Sequence, residues 1–291
     1  MKGIILAGGT GSRLRPITFG VSKHLLPVYD KPMIYYPLSV LMIAGIREVL
    51  IITTPNDVEC YKRLIGNGDS FGIHVSYAIQ QEADGIPSAF LIGEKFIGRD
   101  NVCLILGDNI FFGQSFTQKL TKAVKLTQGA TLFCCKVGDP QRFGVMKFDE
   151  NNRPEKILEK PSEWISDFAV TGLYFYSNKV VEFAKNLKPS GRGELEITDL
   201  NNAFLENENV NVELLGRGFT WIDAGTHDAL KLAGDMIHGM EKQKNIKIAC
   251  LEEVAFNQGW ISEVGLEIAI QKHANNEYGS YLKKILHSSQ N

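Results

Sequence analysis

The chain has 291 residues, 44% apolar and 22% charged, a balance expected of a soluble globular protein large enough for one α/β unit plus an appendage. A formal net charge of −2 gives no general electrostatic case for nucleic acid or an anionic membrane surface. There is no apolar run of 18 residues to predict a membrane span, and no export signal precedes the first strand. The five cysteines form no C-x-x-C pair and read as reduced, buried thiols, so a cytoplasmic setting is expected.

Residues 3–7 form a short apolar run that predicts a buried strand, and it leads into Gly8-Gly9-Thr10-Gly11-Ser12-Arg13. Glycines let backbone N–H groups crowd a ligand, and Arg13 adds a forked cation suited to phosphate oxygens. The loop is therefore expected to cradle phosphate. It is not a dinucleotide fingerprint, because counting G-x-G-x-x-G from Gly9 puts Leu14 at the third glycine. No G-x-x-x-x-G-K-[ST] run occurs either. Lys23 offers a second cation to the same phosphates, although a lysine among apolar neighbours also snorkels to water. His24 has no evident partner for work as a base or metal ligand and is expected to be an ordinary contact residue.

Residues 32–44 predict a helix that opens on proline and stops before Gly45. Strands are expected over 48–54, 74–79, 101–106 and 130–137, with a helix over 115–127. Apolar strands alternating with helix-length segments predict a mostly parallel sheet flanked by helices. Ligands of such sheets sit beyond the carboxyl ends of the strands. The glycine loop, Gln80 and Asp108 all follow such ends. Asp84-Gly85 marks a turn whose glycine allows close approach of a ring. Asp108 is either a helix cap or a carboxylate for Mg²⁺ in a phosphate enzyme.

After residue 138 the texture changes. Residues 144–149 and 168–177 predict strands of a mixed or antiparallel insert, 194–205 a helix and 210–215 another strand. The chain is expected to be mainly helical from 227, with Ala229, Leu230, Leu232, Ala233 and Met236 on an apolar face. Glu159-Lys160 offers a sugar-hydroxyl acceptor beside a phosphate donor. Asp223, in Trp221-Ile222-Asp223-Ala224-Gly225-Thr226, is a second acid, and spacing alone does not pair it with Asp108.

With Leu25-Leu26-Pro27-Val28-Tyr29-Asp30-Lys31-Pro32, Val170-Thr171-Gly172-Leu173-Tyr174 and Arg192-Gly193-Glu194-Leu195-Glu196-Ile197-Thr198-Asp199 added to the glycine loop and Leu106-Gly107-Asp108-Asn109, the chain resembles the bacterial glucose-1-phosphate thymidylyltransferases of the sugar nucleotidyltransferase superfamily over nearly its whole length. The resemblance implies a Rossmann-like core over residues 1–226, with a sugar-binding insert at about 138–215, and a helical region over 227–291 for assembly and regulation. It implies Mg²⁺-dependent transfer from dTTP to glucose 1-phosphate, with release of pyrophosphate, in deoxysugar synthesis of the dTDP-rhamnose type. It also implies a homotetramer and a feedback nucleotide sugar.

Position by position, the resemblance assigns Gly8, Gly11, Ser12, Arg13, Lys23, His24, Gln80, Gly85 and Asp108 to the nucleotide, and Asn109, Gly144, Glu159, Lys160 and Val170 to the sugar phosphate. Asp108 and Asp223 are implied metal ligands, and Arg13, Lys23, Asp108 and Asp223 the catalytic set. Two departures fall near the nucleotide region. His24 stands where the family usually has Gln, and Ile86-Pro87-Ser88-Ala89 stands for Leu-Ala-Gln-Ala. They keep UTP open as the donor. Two competing activities are a glycosyltransferase, which would release a nucleoside diphosphate, and a nucleotide-sugar sensor, which need not keep all four catalytic groups.

Overall fold

The computed structural model describes residues 1–289, so residues 290 and 291 of the expected helical tail lie outside the described residues. Four strands form the parallel half of the central sheet. Lys2–Ala7 lies between Glu48–Thr53 and Val102–Leu106, and His74–Ile79 extends the sheet beyond Glu48–Thr53. These runs lack strict alternation because both faces are covered. Ile5 and Ile51 face a core with Leu38, Leu41, Tyr61 and Phe175. Their neighbours Ile4 and Leu50 face a second core with Phe90, Leu104 and Phe204. Full burial of a side chain such as Phe90 contributes about 2–3 kcal/mol.

The long strand Phe168–Tyr176 joins this half to the rest. One edge pairs antiparallel with Ala130–Lys136, which carries Val210–Leu215 in parallel on its far side. The other edge is shared: Gly144–Phe148 meets it at Ala169, and Val102–Leu106 pairs from Leu173 to Tyr176. Gly144–Phe148 continues into Pro154–Glu159. The antiparallel segment is thus wedged into the main sheet, so Ala130–Lys136 has Phe168–Tyr176 between it and the parallel half. Sequence texture reports burial, not the order of strands.

Several boundaries moved. The helix expected at 32–44 is Tyr35–Ile43, because Lys31–Pro32 pairs with Pro27–Val28 in a small ribbon. The helix expected at 115–127 is Phe116–Ala123. The helix expected at 194–205 is Ile197–Asn207, its approach held in a turn by Ser190, Arg192 and Glu196. A second ribbon, Asn109–Phe112 with Thr220–Asp223, went unpredicted.

The tail opens with His227–Lys244, capped by Thr226, whose Oγ1 accepts from Ala229 N. Ala233 and Ile237 of this helix pack on Val28, Met33, Tyr36 and Ile222, whereas Leu232 points outward. Buried Lys31 pairs with Glu241 at 2.9 Å, and Lys247 with Glu241 at 3.1 Å, with Asp30 in the same network. All five cysteines are free, and four are buried. No helix among the described residues is long and apolar enough to cross a membrane.

Candidate active site

The carboxyl ends of three parallel strands converge, as the α/β rule requires. From Ala7 the chain runs through buried Gly8, where any Cβ would overlap the Gln80 amide oxygen. Gly11 sits at φ +63°, a left-handed conformation suited to glycine. Its carbonyl accepts from Thr18 Oγ1 at 2.7 Å and from Leu14 N at 2.9 Å. Short 3₁₀ turns over Ser12–Leu14, Ile17–Phe19 and Lys23–Leu25 then return the chain to the loop, bringing Lys23 under Gly9. Ser12 is exposed at the loop rim.

Lys23 Nζ lies 2.5 Å from Asp108 Oδ2, 85 positions away in sequence. Burial alone would raise the Asp108 carboxyl. The adjacent Lys23 ammonium and a hydrogen bond from Asn109 more than offset this, and hold it well below the usual range. Asp223 is brought alongside by the second ribbon, in which it pairs with Asn109 and Ala224 N donates to Asp108 O at 2.9 Å. Its carboxyl is raised, first by burial and then by the Asp108 charge, against the pull of Arg13 and Lys23. Arg13 Nη2 is 3.9 Å from Asp223 Oδ2, and its guanidinium lies against Gly225, where a Cβ would overlap it.

No group of three or more His, Cys, Asp and Glu arranged for a metal occurs among the described residues. Two neighbouring carboxylates nevertheless suit Mg²⁺, which takes one or two of them and fills its shell from phosphates and water. The repulsion that raises Asp223 is what a divalent cation would relieve.

Two of the expected ligand residues are buried and bonded within the protein. His24 is 1% exposed, with its ring against Gly107 and its Nδ1 3.4 Å from both Ser22 Oγ and Tyr61 OH. Burial, helped by the Lys23 charge, pushes it down to about 3, so it is neutral. It packs beneath the loop as a buried, neutral ring. Asn109, expected at the sugar phosphate, is 2% exposed and bonded to Asp108, Gly172 and Trp221.

The other end of the site is a cleft of about 270 Å³ lined by Gly9, Gln80, Gly85, Glu159, Lys160 and Arg192, among others. Gln80 Nε2 donates to Asp84 Oδ1 and Ser88 Oγ, both at 2.9 Å, and Ser88 Oγ donates to Gly85 O at 2.7 Å. Gly85 holds φ +105° because the Leu195 backbone bridges directly to it, and a Cβ there would overlap Leu195 O. The close approach foreseen at Gly85 is thus made in part by the chain itself.

Glu159 accepts from Thr198 Oγ1 at 2.7 Å and faces Lys160 Nζ at 3.4 Å and Arg192 Nη2 at 3.9 Å. Lys160 takes the strained φ +43°. Gly144 lies against Thr198 and Glu159, and Val170 packs in the core around Leu104 and Tyr174; neither contributes to the cleft wall. Arg192, Ser88, Thr198 and Trp221 were not singled out from the sequence. For Arg192 and Thr198 the signal was present in the run Arg192–Asp199. A larger cavity, about 720 Å³, lies in the tail around Tyr29, Lys247 and Tyr281 and holds none of the expected site residues.

A phosphate-type loop at the first strand end, two cations and two carboxylates around it, and a polar cleft beside it define a nucleotidyl-transferring site. The nucleotidyl transferase family model matches residues 2–238, and the chain belongs to that family. Within it, the chain falls among the glucose-1-phosphate thymidylyltransferases. It is 59% identical to the enzyme of that name from Neisseria meningitidis, over 98% of this chain and 99% of the relative. It is 51% identical to that from Xanthomonas campestris, over 98% and 96%. A solved Bacillus anthracis structure, provisionally assigned the same activity, aligns with a TM-score of 0.74 at 42% identity, covering 81% of this chain and 94% of that one. A UDP-glucose pyrophosphorylase complexed with UDP-glucose shares the fold, with a TM-score of 0.70 at 23% identity, over 82% of this chain and 98% of that one.

Proposed function

We propose that the protein transfers a thymidylyl group from dTTP to glucose 1-phosphate, giving dTDP-glucose and pyrophosphate. The observation that carries this reading is the half-buried Lys23–Asp108 pair with Asp223 and Arg13 beside it, at the mouth of a glycine loop and next to a cleft with sugar-type acceptors. Relatives that bear the name of this activity over nearly the full chain support the choice of substrates.

An oxygen of the sugar phosphate attacks the α-phosphorus in line, and the bond to the departing pyrophosphate breaks opposite. That oxygen is already ionised near neutral pH, so no general base is required, and none is available in neutral, buried His24. The barrier lies in bringing two polyanions together. Arg13 and Lys23 neutralise the triphosphate, while Lys160 and Arg192 meet the sugar phosphate and Glu159 a sugar hydroxyl. Gln80 and Gly85 receive the base. Asp108 and Asp223 would hold Mg²⁺, which supplies charge neutralisation at the phosphates when bound.

The wider reading places this step in dTDP-rhamnose-type synthesis in the cytoplasm. In it the chain forms a homotetramer, the tail from residue 227 carries assembly and feedback by a nucleotide sugar, and neither nucleic acid nor membrane takes part. The test is pyrophosphate release across a grid of dTTP, UTP and other nucleotides against several sugar 1-phosphates. The dTTP–glucose 1-phosphate cell is expected to be fastest, silent in EDTA and restored by Mg²⁺. A faster UTP cell would make the enzyme a uridylyltransferase. Release of nucleoside diphosphate in place of pyrophosphate would overturn the reaction class.

A further inference from the structure

Beneath the two carboxylates runs a chain of hydrogen bonds with no part in the chemistry so far. Asn109 Oδ1 accepts from Trp221 Nε1 at 2.7 Å and from Gly172 N at 3.0 Å. Two donors on one atom fix which end of the amide is oxygen. Nδ2 must then face the other way, and it donates to Asp108 Oδ1 at 3.0 Å. The donors come from separate elements. Trp221 lies in Thr220–Asp223, opposite Phe111 and two residues before Asp223. Gly172 lies where the edge of Phe168–Tyr176 passes from one neighbour to the other and its ladder register shifts, so its N–H turns to Asn109. A Cβ on Gly172 would come 2.6 Å from Asn109 Oδ1, so that position admits the amide only as glycine. The Trp221 ring is braced by Phe143, centroid to centroid at 5.0 Å.

The geometry points to Trp221 as a positioning residue for the metal. Its indole N–H holds the Asn109 amide in one orientation, and that amide fixes the rotation of the Asp108 carboxylate. Without that donor, the Gly172 N–H alone holds the amide oxygen, and the amide turns more readily to face that oxygen toward Asp108, where it would repel the carboxylate it now supports. Outer partners of this kind hold metal-ligating carboxylates, and losing one commonly weakens metal binding by about 10- to 100-fold. The inference rests on the reading of Asp108 as a metal ligand.

The test is Mn²⁺ binding to the full-length protein without nucleotide or sugar phosphate, so that no free triphosphate competes for the metal and nothing turns over, with free Mn²⁺ followed by electron paramagnetic resonance. Trp221→Phe keeps the ring against Phe143 but removes the donor. It is expected to weaken Mn²⁺ binding about tenfold while circular dichroism stays native. Gly172→Ala, which pushes a methyl group into Asn109, is expected to move the constant in the same direction, and it serves alone if Trp221→Phe does not fold. Asp108→Asn separates the two levels. If that variant binds Mn²⁺ as tightly as the parent, the metal reading of Asp108 fails. If it loses binding while Trp221→Phe and Gly172→Ala stay within about twofold of the parent, well inside the range expected for a lost outer partner, the positioning role is overturned.

Discussion

The two ends of the site are built from different forces. At the phosphate end, opposed charges are packed at short range: Lys23 against Asp108, Arg13 against Asp223, and two carboxylates close enough to disturb each other. At the proposed base end, hydrogen bonds and backbone do the holding: Gln80 to Ser88 and to the Asp84 carboxylate, and Gly85 through Leu195. The charged end is electrostatically unfinished, because Asp223 carries a charge that folding disfavours. The hydrogen-bonded end is finished in shape before any ligand arrives. A site that joins two polyanions needs unbalanced charge where phosphates and metal go, and rigid complementarity where a base is chosen.

The sharpest way to break this contrast is to remove charge at the first end. Lys23→Ala and Asp223→Asn are each expected to lower kcat/KM about 10²- to 10³-fold, the scale of losing one preorganised electrostatic group. Their stabilities are expected to move in opposite directions. Lys23→Ala leaves Asp108 buried and unpaired, at about 3 kcal/mol of destabilisation. Asp223→Asn removes a charge whose carboxyl is raised in the folded state, so the metal-free variant should melt slightly above the parent, by about 2 °C. Calorimetry in EDTA decides it. Equal destabilisation by both variants would erase the asymmetry between the carboxylates.

At the hydrogen-bonded end, smaller and more selective losses are expected. Ser88→Ala removes the link between Gln80 and Gly85. It should raise the nucleotide KM about 5- to 10-fold with kcat nearly unchanged, and shift the dTTP-to-UTP ratio, as the loss of one buried hydrogen-bonding group does. A fall in kcat with KM intact would place Ser88 at the chemistry and blur the two ends.

The smallest effect on activity is expected from His24, and its readout is pH. Its folded-state value is lowered to about 3, mainly by burial. The unfolded chain therefore binds a proton near pH 6.5 that the folded chain refuses. The stability this represents is fully present above about pH 6.5 and is lost as pH falls toward 3, at up to about 1.4 kcal/mol per unit. His24→Gln should flatten that part of the stability–pH curve relative to the parent. Parallel melting curves for the two proteins over that range would show that His24 is not buried as a neutral ring.

Local chemistry was legible without coordinates. The strand–loop junction at Ala7–Gly8, the alternation of buried strands with helices, and the interest of Lys23, Asp108, Asp223 and Glu159 all follow from residue type and neighbours. So does the free state of the cysteines. What stayed illegible shares one cause. His24 and Asn109 are polar residues beside ligand-type motifs, and sequence reading gives no sign of their partners within the protein. Each in fact turns inward, to Gly107 and Tyr61 or to Gly172 and Trp221, partners far away in sequence. Pro32 read as a helix start because its pairing with Pro27 leaves no periodic mark.

By itself, then, the sequence determined which segments bury their backbone and which loop gathers phosphate-type groups. Those properties depend on neighbours a few positions apart. Tertiary structure alone decided that Asp108 and Asp223 share a ribbon, that Lys23 closes on Asp108 across 85 positions, and that Leu195 completes the turn at Gly85. Such pairings depend on strand order and register, which burial patterns leave degenerate. The glycine loop becomes a site only once the sheet has brought its carboxylates to it.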